Sequence, residues 1–480
     1  MYEFKTKPYQ HQQLAYDNSW QTPSYALFME MGTGKTKVAI DTMGALFTEG
    51  KINTALIIAP KGVYSNWVNK EIPQHLSDHV KVDLLLWQPN QTQKFKKRLK
   101  EVARGTDNSV LRILVMNTEA LSTQKGTKVA QRFLEVNPDN FVVVDESTSI
   151  KNRNAQRTKN IVKLGKVSKY KRILTGSPIT KTPMDLYAQC EFLGSSLLGF
   201  ESYYAFQGRY AVVQQRKFGA RSFQQITGYR NLEELNQKLE GFSHRVLKEE
   251  CLDLPKKVYM TRNVELTNEQ QKAYKQMKEY ALAMLDAGEL STTQSVLTQI
   301  MRLQEICCGH LRTDDGDIQA LDSNRMSEML NVVDEMMGKV IIWANYVYDI
   351  KQIVAAISKA YGEDSIVQYY GAVPADVRQK NIEKFQDPKS PARFFVGNPQ
   401  TGGYGITLTA ANNVIYYSNG YDLEKRLQSE DRAHRIGQKK AVTYVDLIAP
   451  KTVDEKIRKA LRKKINIATE VMGEELRDWI

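Results

Sequence analysis

The chain has 480 residues, enough for roughly three domains of ordinary size, and its 25% charged and 42% apolar residues are typical of a soluble globular protein. No apolar run approaches the roughly 18 residues of a membrane span, and the start lacks a signal-peptide pattern. Four scattered cysteines are too few for a disulfide framework. These features exclude a membrane protein and a disulfide-rich secreted protein, and we expect a reducing, cytoplasmic compartment.

The charge of the chain is strongly positive. A formal net charge of +13 and a pI near 9.2 favour a polyanionic partner, because binding to phosphate groups releases condensed counterions. The run Cys307-Cys308-Gly309-His310 has no second ligand pair at the spacing of a zinc finger, so no zinc site is predicted.

Short apolar runs alternate with helical patterns in two parts of the chain. Continuous hydrophobicity is typical of parallel strands covered on both faces, so each part is predicted to be a doubly wound α/β domain. The first set of strands is predicted at 54–59, 111–116, 141–144 and 172–174. The second set is predicted at 339–343, 365–369, 393–396, 413–417 and 443–447. Helical regions are predicted at about 185–241 and 268–337, with a connector at 254–257.

A phosphate-binding loop is predicted near the start of the chain. The run Gly32-Thr33-Gly34-Lys35-Thr36 follows an apolar strand candidate at 25–28 and precedes a helical pattern. In that context the glycines allow backbone N–H groups to close on phosphate oxygens, and the helix N-terminus adds its dipole. Lys35 would neutralise the β and γ phosphates of a nucleotide, and the Thr36 hydroxyl would bind Mg²⁺. The strict motif has glycine where Met29 stands, so this is the shorter variant.

Two carboxylates end the strand predicted at 141–144. At the carboxyl end of a parallel strand, Asp145 can hold Mg²⁺ through water, and Glu146 can orient or deprotonate an attacking water molecule. The run at 174–178 follows another strand and offers hydroxyl groups on a tight turn, which by itself is a weak signal. The loop and the acidic pair together predict ATP and Mg²⁺ as cofactors.

A second group of polar residues lies near the other end of the chain. Gln428, Arg432 and Arg435 are spaced i, i+4 and i+7, which places them on one face of a predicted helix. Two arginines on one face can reach a γ-phosphate and stabilise charge in the transition state. We therefore expect one ATP site built from two distant halves, which closes before hydrolysis and opens after it.

Taken together, these motifs resemble those of the superfamily-two nucleic-acid motor ATPases, specifically the Swi/Snf-type branch of DNA translocases. The likeness runs from about residue 8 to residue 457, and the string Arg-Ala-His-Arg-Ile-Gly-Gln at 432–438 is specific to this branch. Pro8-Tyr9-Gln10 is similar to the adenine-reading motif of the family, and 59–67, 117–119 and 402–408 are similar to motifs Ia, Ib and V.

The resemblance implies two tandem RecA-like lobes, each with a helical protrusion. They would occupy 1–262 and 263–465, with a tail at 466–480. The nucleotide-binding residues that it implies are Gln10, Gly32, Thr33, Gly34, Lys35, Thr36, Asp145 and Gly405. The catalytic residues that it implies are Lys35, Glu146, Gln428, Arg432 and Arg435. The DNA contacts that it implies are Lys61, Thr118 and Thr407.

Three positions depart from the pattern of the family. Ser147-Thr148 stand in motif II where a small residue and His are usual, at a position that couples hydrolysis to DNA. Thr407 stands where Asn is usual, and 418–422 replaces a Trp-Asn-Pro passage. No reader module is appended, which favours a compact bacterial or viral member, acting as a monomer in the cytoplasm of a bacterium or an infected host cell.

The predicted function is an ATP-dependent motor that translocates on double-stranded DNA and remodels protein–DNA complexes or branched DNA. Two alternatives stay open. A strand-separating or branch-migrating helicase needs only one wedge residue, which the sequence does not reveal. An ATP-gated clamp with little turnover is supported only by the departure in motif II. The choice of duplex DNA over RNA rests on the resemblance alone.

Overall fold

Buried aliphatic runs pair in parallel to form two sheets, one in each of two units of the chain. The computed structural model describes residues 2–105, 107–179, 182–218, 221–251, 254–286, 293–313, 315–402, 406–420, 422–435, 437–458 and 461. The described residues up to Cys251 belong to the first unit, and those from Leu254 belong to the second.

The first unit alternates strands and helices. Its strands are β1 (Ser24–Met29), β2 (Thr54–Ala59), β3 (Lys81–Leu86), β4 (Val110–Asn117), β5 (Asn140–Asp145), β6 (Tyr170–Leu174), β7 (Ala211–Phe218), β8 (Arg221–Tyr229) and β9 (Ser243–Val246). Its helices are α1 (Gln10–Ser19), α2 (Lys35–Thr48), α3 (Tyr64–Asn66), α4 (Ile72–His75), α5 (Gln93–Arg104), α6 (Gln124–Glu135), α7 (Gln156–Lys166), α8 (Asp185–Leu193), α9 (Tyr203–Tyr210), α10 (Leu232–Glu240) and α11 (Lys248–Cys251). Shorter helical turns lie at Trp67–Glu71, Thr118–Ser122 and Ser147–Ile150.

Seven of these strands form one parallel sheet in the order β3-β4-β2-β5-β6-β1-β9. Helices α5, α6, α7 and α8 bury apolar side chains against one face, and α1 and α2 cover the other. Both faces are therefore covered, as the continuous apolar runs of β2 and β5 predicted. The strands β3 and β9 were not predicted, because they lie at the edges of the sheet and contain polar residues.

The second unit has the same plan. Its strands are β10 (Lys257–Asn263), β11 (His310–Arg312), β12 (Ile318–Ala320), β13 (Lys339–Trp343), β14 (Ile366–Tyr369), β15 (Phe394–Gly397), β16 (Ala411–Tyr416) and β17 (Val442–Ile448). Its helices are α12 (Asn268–Asp286), α13 (Thr293–Cys308), α14 (Arg325–Glu335), α15 (Val347–Tyr361), α16 (Ala375–Gln386), α17 (Pro399–Gly402) and α18 (Leu423–Glu430), with a 3₁₀ turn at Glu363–Ser365. Six strands form a parallel sheet in the order β10-β17-β16-β13-β15-β14. The predicted pair of α/β units is confirmed.

Three details of the predicted architecture differ from the structure. The region 185–241 holds an antiparallel hairpin, β7 with β8, beside its helices, because β-branched residues such as Val213 and Ile226 pair across it. The region 268–337 likewise includes the short pair β11 with β12. The predicted boundary after residue 262 falls inside β10, whose whole length pairs with β17. Among the helices of the described residues, none is long and apolar enough to cross a bilayer.

Candidate active site

The loops that follow β1, β5 and β6 meet at the carboxyl edge of the first sheet, because these strands are neighbours in parallel. The turn after β6 lies directly against the loop after β1. A β-carbon at Gly176 would come within 3.1 Å of the Met31 backbone nitrogen. The three segments that the sequence singled out in this unit are therefore assembled at one place.

The loop between β1 and α2 has the conformation that its glycines predict. Gly32 and Gly34 have φ angles of +85° and +93°, which side-chain-bearing residues rarely adopt. Gln12 fixes the loop from α1, because its Nε2 donates to the Thr33 carbonyl oxygen (3.0 Å). The His11 ring nitrogen Nε2 lies 2.8 Å from the same oxygen. The loop is thus held in shape by protein contacts, and α2 begins at Lys35 with its N-terminus at the sheet edge.

Lys35 and the two carboxylates after β5 lie close together. Lys35 Nζ is 3.6 Å from Glu146 Oε1, and both side chains are largely buried. Asp145 Oδ2 accepts a hydrogen bond from Trp67 Nε1 (2.9 Å), and Asp145 Oδ1 accepts one from the Glu146 N–H (3.0 Å). Burial raises the pKa of Asp145, and the charge of Lys35 opposes that rise. A buried carboxylate in this position is stabilised by any further cation that binds beside it.

Glu146 has a backbone conformation that is rare outside glycine. Its φ and ψ angles are +47° and +60°, in the left-handed region. A non-glycine residue in this region carries strain of roughly 1 kcal/mol or more, and such residues cluster at functional sites. The sharp turn ends β5 and starts the helical turn at Ser147–Ile150.

The oxygen donors that could hold the predicted magnesium ion are the Thr36 hydroxyl in the first turn of α2 and the Asp145 carboxylate at the end of β5. Hydroxyl and carboxylate oxygens are the hard ligands that Mg²⁺ prefers. Since burial disfavours the charged form of Asp145, a divalent cation there would offset the cost of its ionisation. The residues present fit the ion that the sequence predicts.

In the second unit, the prediction that both arginines lie on one helix is wrong. The helix α18 ends at Glu430, so Arg432 and Arg435 follow it in a series of turns. Long-range side-chain contacts hold these turns. His434 Nε2 lies 2.7 Å from the Pro255 carbonyl oxygen, and Gln438 Nε2 donates to the Ala411 carbonyl oxygen (2.8 Å).

The two arginines nevertheless converge. Arg432 Nη1 and Arg435 Nη1 both donate to the Ile406 carbonyl oxygen, at 3.2 and 3.3 Å. Arg432 is 1% exposed and its Nε also donates to the Gln428 carbonyl oxygen, whereas Arg435 is partly exposed. Gln428 is buried, and its Nε2 donates to Glu424 Oε1 (2.9 Å). Gly405, which was predicted to contact the nucleotide, lies outside the described residues.

The remaining predicted contact residues lie in different surroundings. Gln10 is exposed at the first position of α1, and Lys61 is exposed after β2. Thr407 is half-buried beside Ile406. Thr118 is 1% exposed, and its burial argues against a direct contact between its hydroxyl and a phosphate group.

Comparison with known proteins identifies both units. Residues 9–311 match the SNF2-related domain, and residues 324–437 match the helicase conserved C-terminal domain. The chain belongs to the SNF2-related family.

Relatives in this family are longer than this chain. It is 27% identical over 452 residues to an uncharacterized ATP-dependent helicase of Mycoplasma genitalium, an alignment that covers 93% of this chain and 40% of that protein. It is 28% identical over 448 residues to the DNA annealing helicase and endonuclease ZRANB3 of Bos taurus, covering 91% of this chain and 38% of that protein. The chain therefore spans about 40% of the length of the curated relatives that it matches.

Among solved structures, the chain is similar to the Sulfolobus solfataricus SWI2/SNF2 ATPase core in complex with dsDNA. The identity is 25%, the match covers 98% of this chain and 95% of that chain, and the TM-score is 0.44.

The Ser147 departure from the SNF2-related pattern has a defined structural role. Ser147 Oγ donates to Gln189 Oε1 (2.7 Å), and Gln189 Nε2 donates to the Pro178 carbonyl oxygen (2.8 Å). All three lie in the first unit, and both Ser147 and Gln189 are fully buried. The residue after the acidic pair is thereby connected, through α8, to the turn after β6.

Sequence reasoning missed several residues that shape this SNF2-related site. Gln12 was missed because the motif pattern favours Gln10, two positions earlier. Arg245 in β9 was also missed, although its Nη1 donates to the Phe28 and Gly176 carbonyl oxygens (both 3.1 Å) and joins the ends of β1 and β6. No local sequence signal marks Arg245, since its partners are distant backbone atoms.

A buried ion pair supports the helix that carries the phosphate-binding loop. Lys37 Nζ lies 2.6 Å from Asp41 Oδ2, and both side chains are nearly inaccessible. Burial raises the pKa of Asp41 to about 6, against the opposing effect of Lys37. We expect Lys37→Met to destabilise the first unit by about 3 kcal/mol at pH 7.5, because it leaves a buried carboxylate without its cation. Urea unfolding measures this change.

The matched control is the double variant Lys37→Met/Asp41→Leu, which removes both charges and is expected to recover most of the lost stability. The pH dependence has a defined sign. Protonation neutralises Asp41, so the penalty in Lys37→Met is present above the pKa of Asp41 and shrinks as the pH falls through it to 5.5. A penalty that is equal at both pH values would attribute the loss to packing instead.

Proposed function

We propose that this chain is a DNA-dependent ATPase that uses ATP hydrolysis to translocate on duplex DNA. The observation that carries the proposal is the contact of Lys35 with Glu146 at the sheet edge, 3.6 Å apart, beside the Asp145 carboxylate. A phosphate-binding lysine, a metal-binding carboxylate and a candidate general base are the groups that phosphoryl transfer to water requires.

In the proposed mechanism, the backbone N–H groups of the loop at 32–36 and the N-terminus of α2 bind the nucleotide phosphates. Lys35 exchanges its contact with Glu146 for the β and γ phosphates, which releases the Glu146 carboxylate to orient a water molecule. Glu146 then accepts a proton from that water as the water oxygen bonds to the γ phosphorus, the bond from that phosphorus to the β–γ bridging oxygen breaks, and ADP leaves. A magnesium ion held by Thr36 and Asp145 would neutralise charge on the phosphate oxygens when bound.

The arginines of the second unit complete the proposed mechanism. Arg435 and Arg432 would act on the nucleotide bound by the first unit and stabilise negative charge that develops in the transition state. Because they belong to a separate unit, hydrolysis would depend on closure of the two units on the nucleotide. That dependence would convert each ATP turnover into relative movement of the units along DNA.

Duplex DNA is proposed as the partner on three grounds. The chain carries a net charge of +13, which favours a phosphate polyanion. One SNF2-related relative is a DNA annealing helicase, which supports DNA as the nucleic acid. The motif at 432–438 resembles that of translocases that track along duplex DNA, which favours a duplex over a single strand. Remodelling of bound proteins or of branched DNA is the proposed outcome of translocation.

The test is steady-state ATP hydrolysis without nucleic acid and with duplex DNA, single-stranded DNA, forked DNA or RNA. We expect duplex DNA to stimulate hydrolysis about tenfold or more, and Lys35→Ala to reduce the stimulated rate to background. Lys272→Ala, which removes an exposed lysine of α12, is the matched control and is expected to keep the wild-type rate.

Each other outcome selects a different function. Stimulation confined to forked or single-stranded DNA would replace the translocase with a strand-separating helicase. ATP hydrolysis that no nucleic acid stimulates would leave the ATP-gated clamp as the function. Ser147, which contacts Gln189, would then be the first residue to substitute.

A further inference from the structure

A buried carboxylate lies where α18 ends and the arginine segment, residues 431–438, begins. Glu430 is the last residue of α18 and is 0% exposed. Its backbone oxygen accepts hydrogen bonds from the N–H groups of Ala433 and His434 (both 3.2 Å), so Glu430 also starts the turns that carry Arg432 and Arg435. A carboxylate that is removed from solvent needs partners within the protein. The partners of Glu430 therefore determine where the arginine segment begins.

Both oxygens of the Glu430 carboxylate have such partners. Arg426 Nε, one turn earlier in α18, donates to Oε1 (2.7 Å). The Tyr259 hydroxyl in β10 donates to Oε2 (2.8 Å), and Lys257 Nζ lies 3.5 Å from the same oxygen. One oxygen is thus held by the helix itself and the other by the first strand of the second sheet. These directional contacts fix the end of α18 to the sheet.

Arg426 is a buried cation with further partners. Its Nη1 donates to Asp446 Oδ1 (2.5 Å) and to Asn419 Oδ1 (2.6 Å). Its guanidinium carbon lies 3.5 Å from the centre of the Tyr416 ring. Asn419 Nδ2 in turn donates to Asp446 Oδ1 (2.8 Å), which closes the group. Removal of the Arg426 charge would leave two buried carboxylates without their cation, so this arrangement depends on each of its members.

Asn419 connects this group with a distant helix. It belongs to the passage 418–422, where the sequence departs from a Trp-Asn-Pro pattern. Its backbone oxygen accepts a hydrogen bond from Nε2 of Gln304 (2.7 Å), a buried residue of α13. The Tyr346 hydroxyl donates to Gln304 Oε1 (2.9 Å), which fixes the orientation of the amide. The passage that departs from the pattern is therefore a polar joint between α13 and the group around Arg426.

We propose that the contact of Arg426 with Glu430 positions the arginine segment for ATP hydrolysis, and that Asn419 connects this contact with α13. The inference rests on the proposed function, since it takes Arg432 and Arg435 as the groups that stabilise the γ-phosphate. A displacement of about 1 Å in catalytic groups is enough to lose about a hundredfold in rate. Because Glu430 fixes the start of the turns, its contacts set the position of both arginines.

The consequence is that hydrolysis depends on a helix that carries none of the predicted nucleotide contacts. A change in the position of α13 would reach the arginine segment through the Asn419 backbone and side chain. The rate of hydrolysis would then respond to α13 while the affinity for ATP, which is set by the phosphate-binding loop of the first unit, stays the same.

The experiment measures kcat and the KM for ATP with the full chain at saturating duplex DNA. The test variant is Glu430→Gln, which keeps the shape of the side chain and removes the charge that Arg426 and Lys257 face. The matched control is Asp349→Asn, the same acid-to-amide change at another buried carboxylate of the second unit, which lies 3.1 Å from His310 Nδ1. Urea unfolding is measured first, and rates are compared where each protein is folded.

We expect Glu430→Gln to lower kcat about thirtyfold and to leave KM within about twofold, because misplaced arginines weaken only interactions made in the transition state. Asp349→Asn should unfold at a lower urea concentration and keep the wild-type kcat. Tyr259→Phe is a milder test variant, since it removes one hydrogen bond to Glu430 and keeps the ring that stacks on Tyr444. It should lower kcat about fivefold, and it decides the question alone if Glu430→Gln does not fold.

The connection with α13 is tested by Gln304→Met, which keeps the length of the side chain and removes the donor to the Asn419 carbonyl oxygen. We expect it to lower kcat about fivefold. If Gln304 and Glu430 act on the arginines along the same path, the double variant Gln304→Met/Glu430→Gln should lose less than the product of the two single effects. A double variant whose loss equals that product would refute the connection.

Three results would overturn the positioning role: wild-type kcat in both Glu430→Gln and Tyr259→Phe, an equal fall of kcat in Asp349→Asn, or a loss that appears in KM instead of kcat. The proposed function fails separately. Hydrolysis that no DNA stimulates, or normal hydrolysis in Arg435→Ala measured in the same series, refutes the proposed function. Lost hydrolysis in Arg435→Ala beside wild-type kcat in both test variants refutes only the positioning role.

Discussion

Replacement of Glu146 with glutamine is expected to lower the rate of ATP hydrolysis by about a thousandfold while ATP still binds. Glutamine has the same shape as glutamate and cannot accept a proton from water. It also removes the negative charge 3.6 Å from Lys35 Nζ, which leaves that cation free for the phosphates and keeps ATP affinity at or above the wild-type value. Single-turnover hydrolysis with saturating duplex DNA measures the first effect, and equilibrium binding of a fluorescent ATP analogue measures the second.

The neighbouring carboxylate provides the matched control. Asp145→Asn is expected to weaken binding of the magnesium–ATP complex as well as hydrolysis, because Asp145 is the proposed metal ligand. Both Asp145 oxygens accept hydrogen bonds, from Trp67 Nε1 and the Glu146 N–H, and the amide keeps only one acceptor, so urea unfolding of Asp145→Asn measures the structural part of its effect. If Glu146→Gln kept hydrolysis within about tenfold of the wild type, Glu146 would not be the general base. The strained φ of +47° at Glu146 would then need another explanation.

The parts of the fold that the sequence predicted are those dictated by burial. Strands β2, β5 and β13 lie inside their sheets, and their unbroken apolar runs have no other stable placement. This argument does not apply to strands at the edge of a sheet. β10 alternates half-buried and exposed residues and carries charge, so nothing local distinguishes it from a loop. Only its pairing with β17 makes it a strand.

The candidate site was predictable where backbone geometry fixes it. The glycines at 32 and 34 require a particular loop, and parallel strands bring that loop to Asp145 and Glu146. Periodicity failed for the arginine segment, because tertiary contacts decide where α18 ends. Glu430, the last residue of α18, accepts a hydrogen bond from the hydroxyl of Tyr259 in β10 (2.8 Å), a partner that no helical repeat encodes.

The second large effect is expected at Arg435. Arg435→Ala should reduce DNA-stimulated hydrolysis by about a thousandfold, as loss of an arginine that stabilises the γ-phosphate does in related phosphoryl transfers. Because Arg435 is partly exposed at the end of a turn, its removal is expected to change the free energy of unfolding little. Hydrolysis at saturating ATP and duplex DNA measures the first effect, and urea unfolding measures the second.

Arg432 is the internal comparison, because it shares the Ile406 carbonyl oxygen with Arg435 but is 1% exposed. Its buried side chain also donates from Nε to the Gln428 carbonyl oxygen (2.9 Å). Arg432→Ala should therefore lose hydrolysis and also destabilise the second unit by about 2 kcal/mol or more.

Arg435→Lys keeps the positive charge at this position but changes the geometry of its hydrogen-bond donors. Because a lysine cannot donate two parallel hydrogen bonds, we expect it to recover less than a tenth of the wild-type rate of hydrolysis. Recovery by lysine to the wild-type rate, or normal hydrolysis in Arg435→Ala, would mean that this arginine does not contact the reacting phosphate.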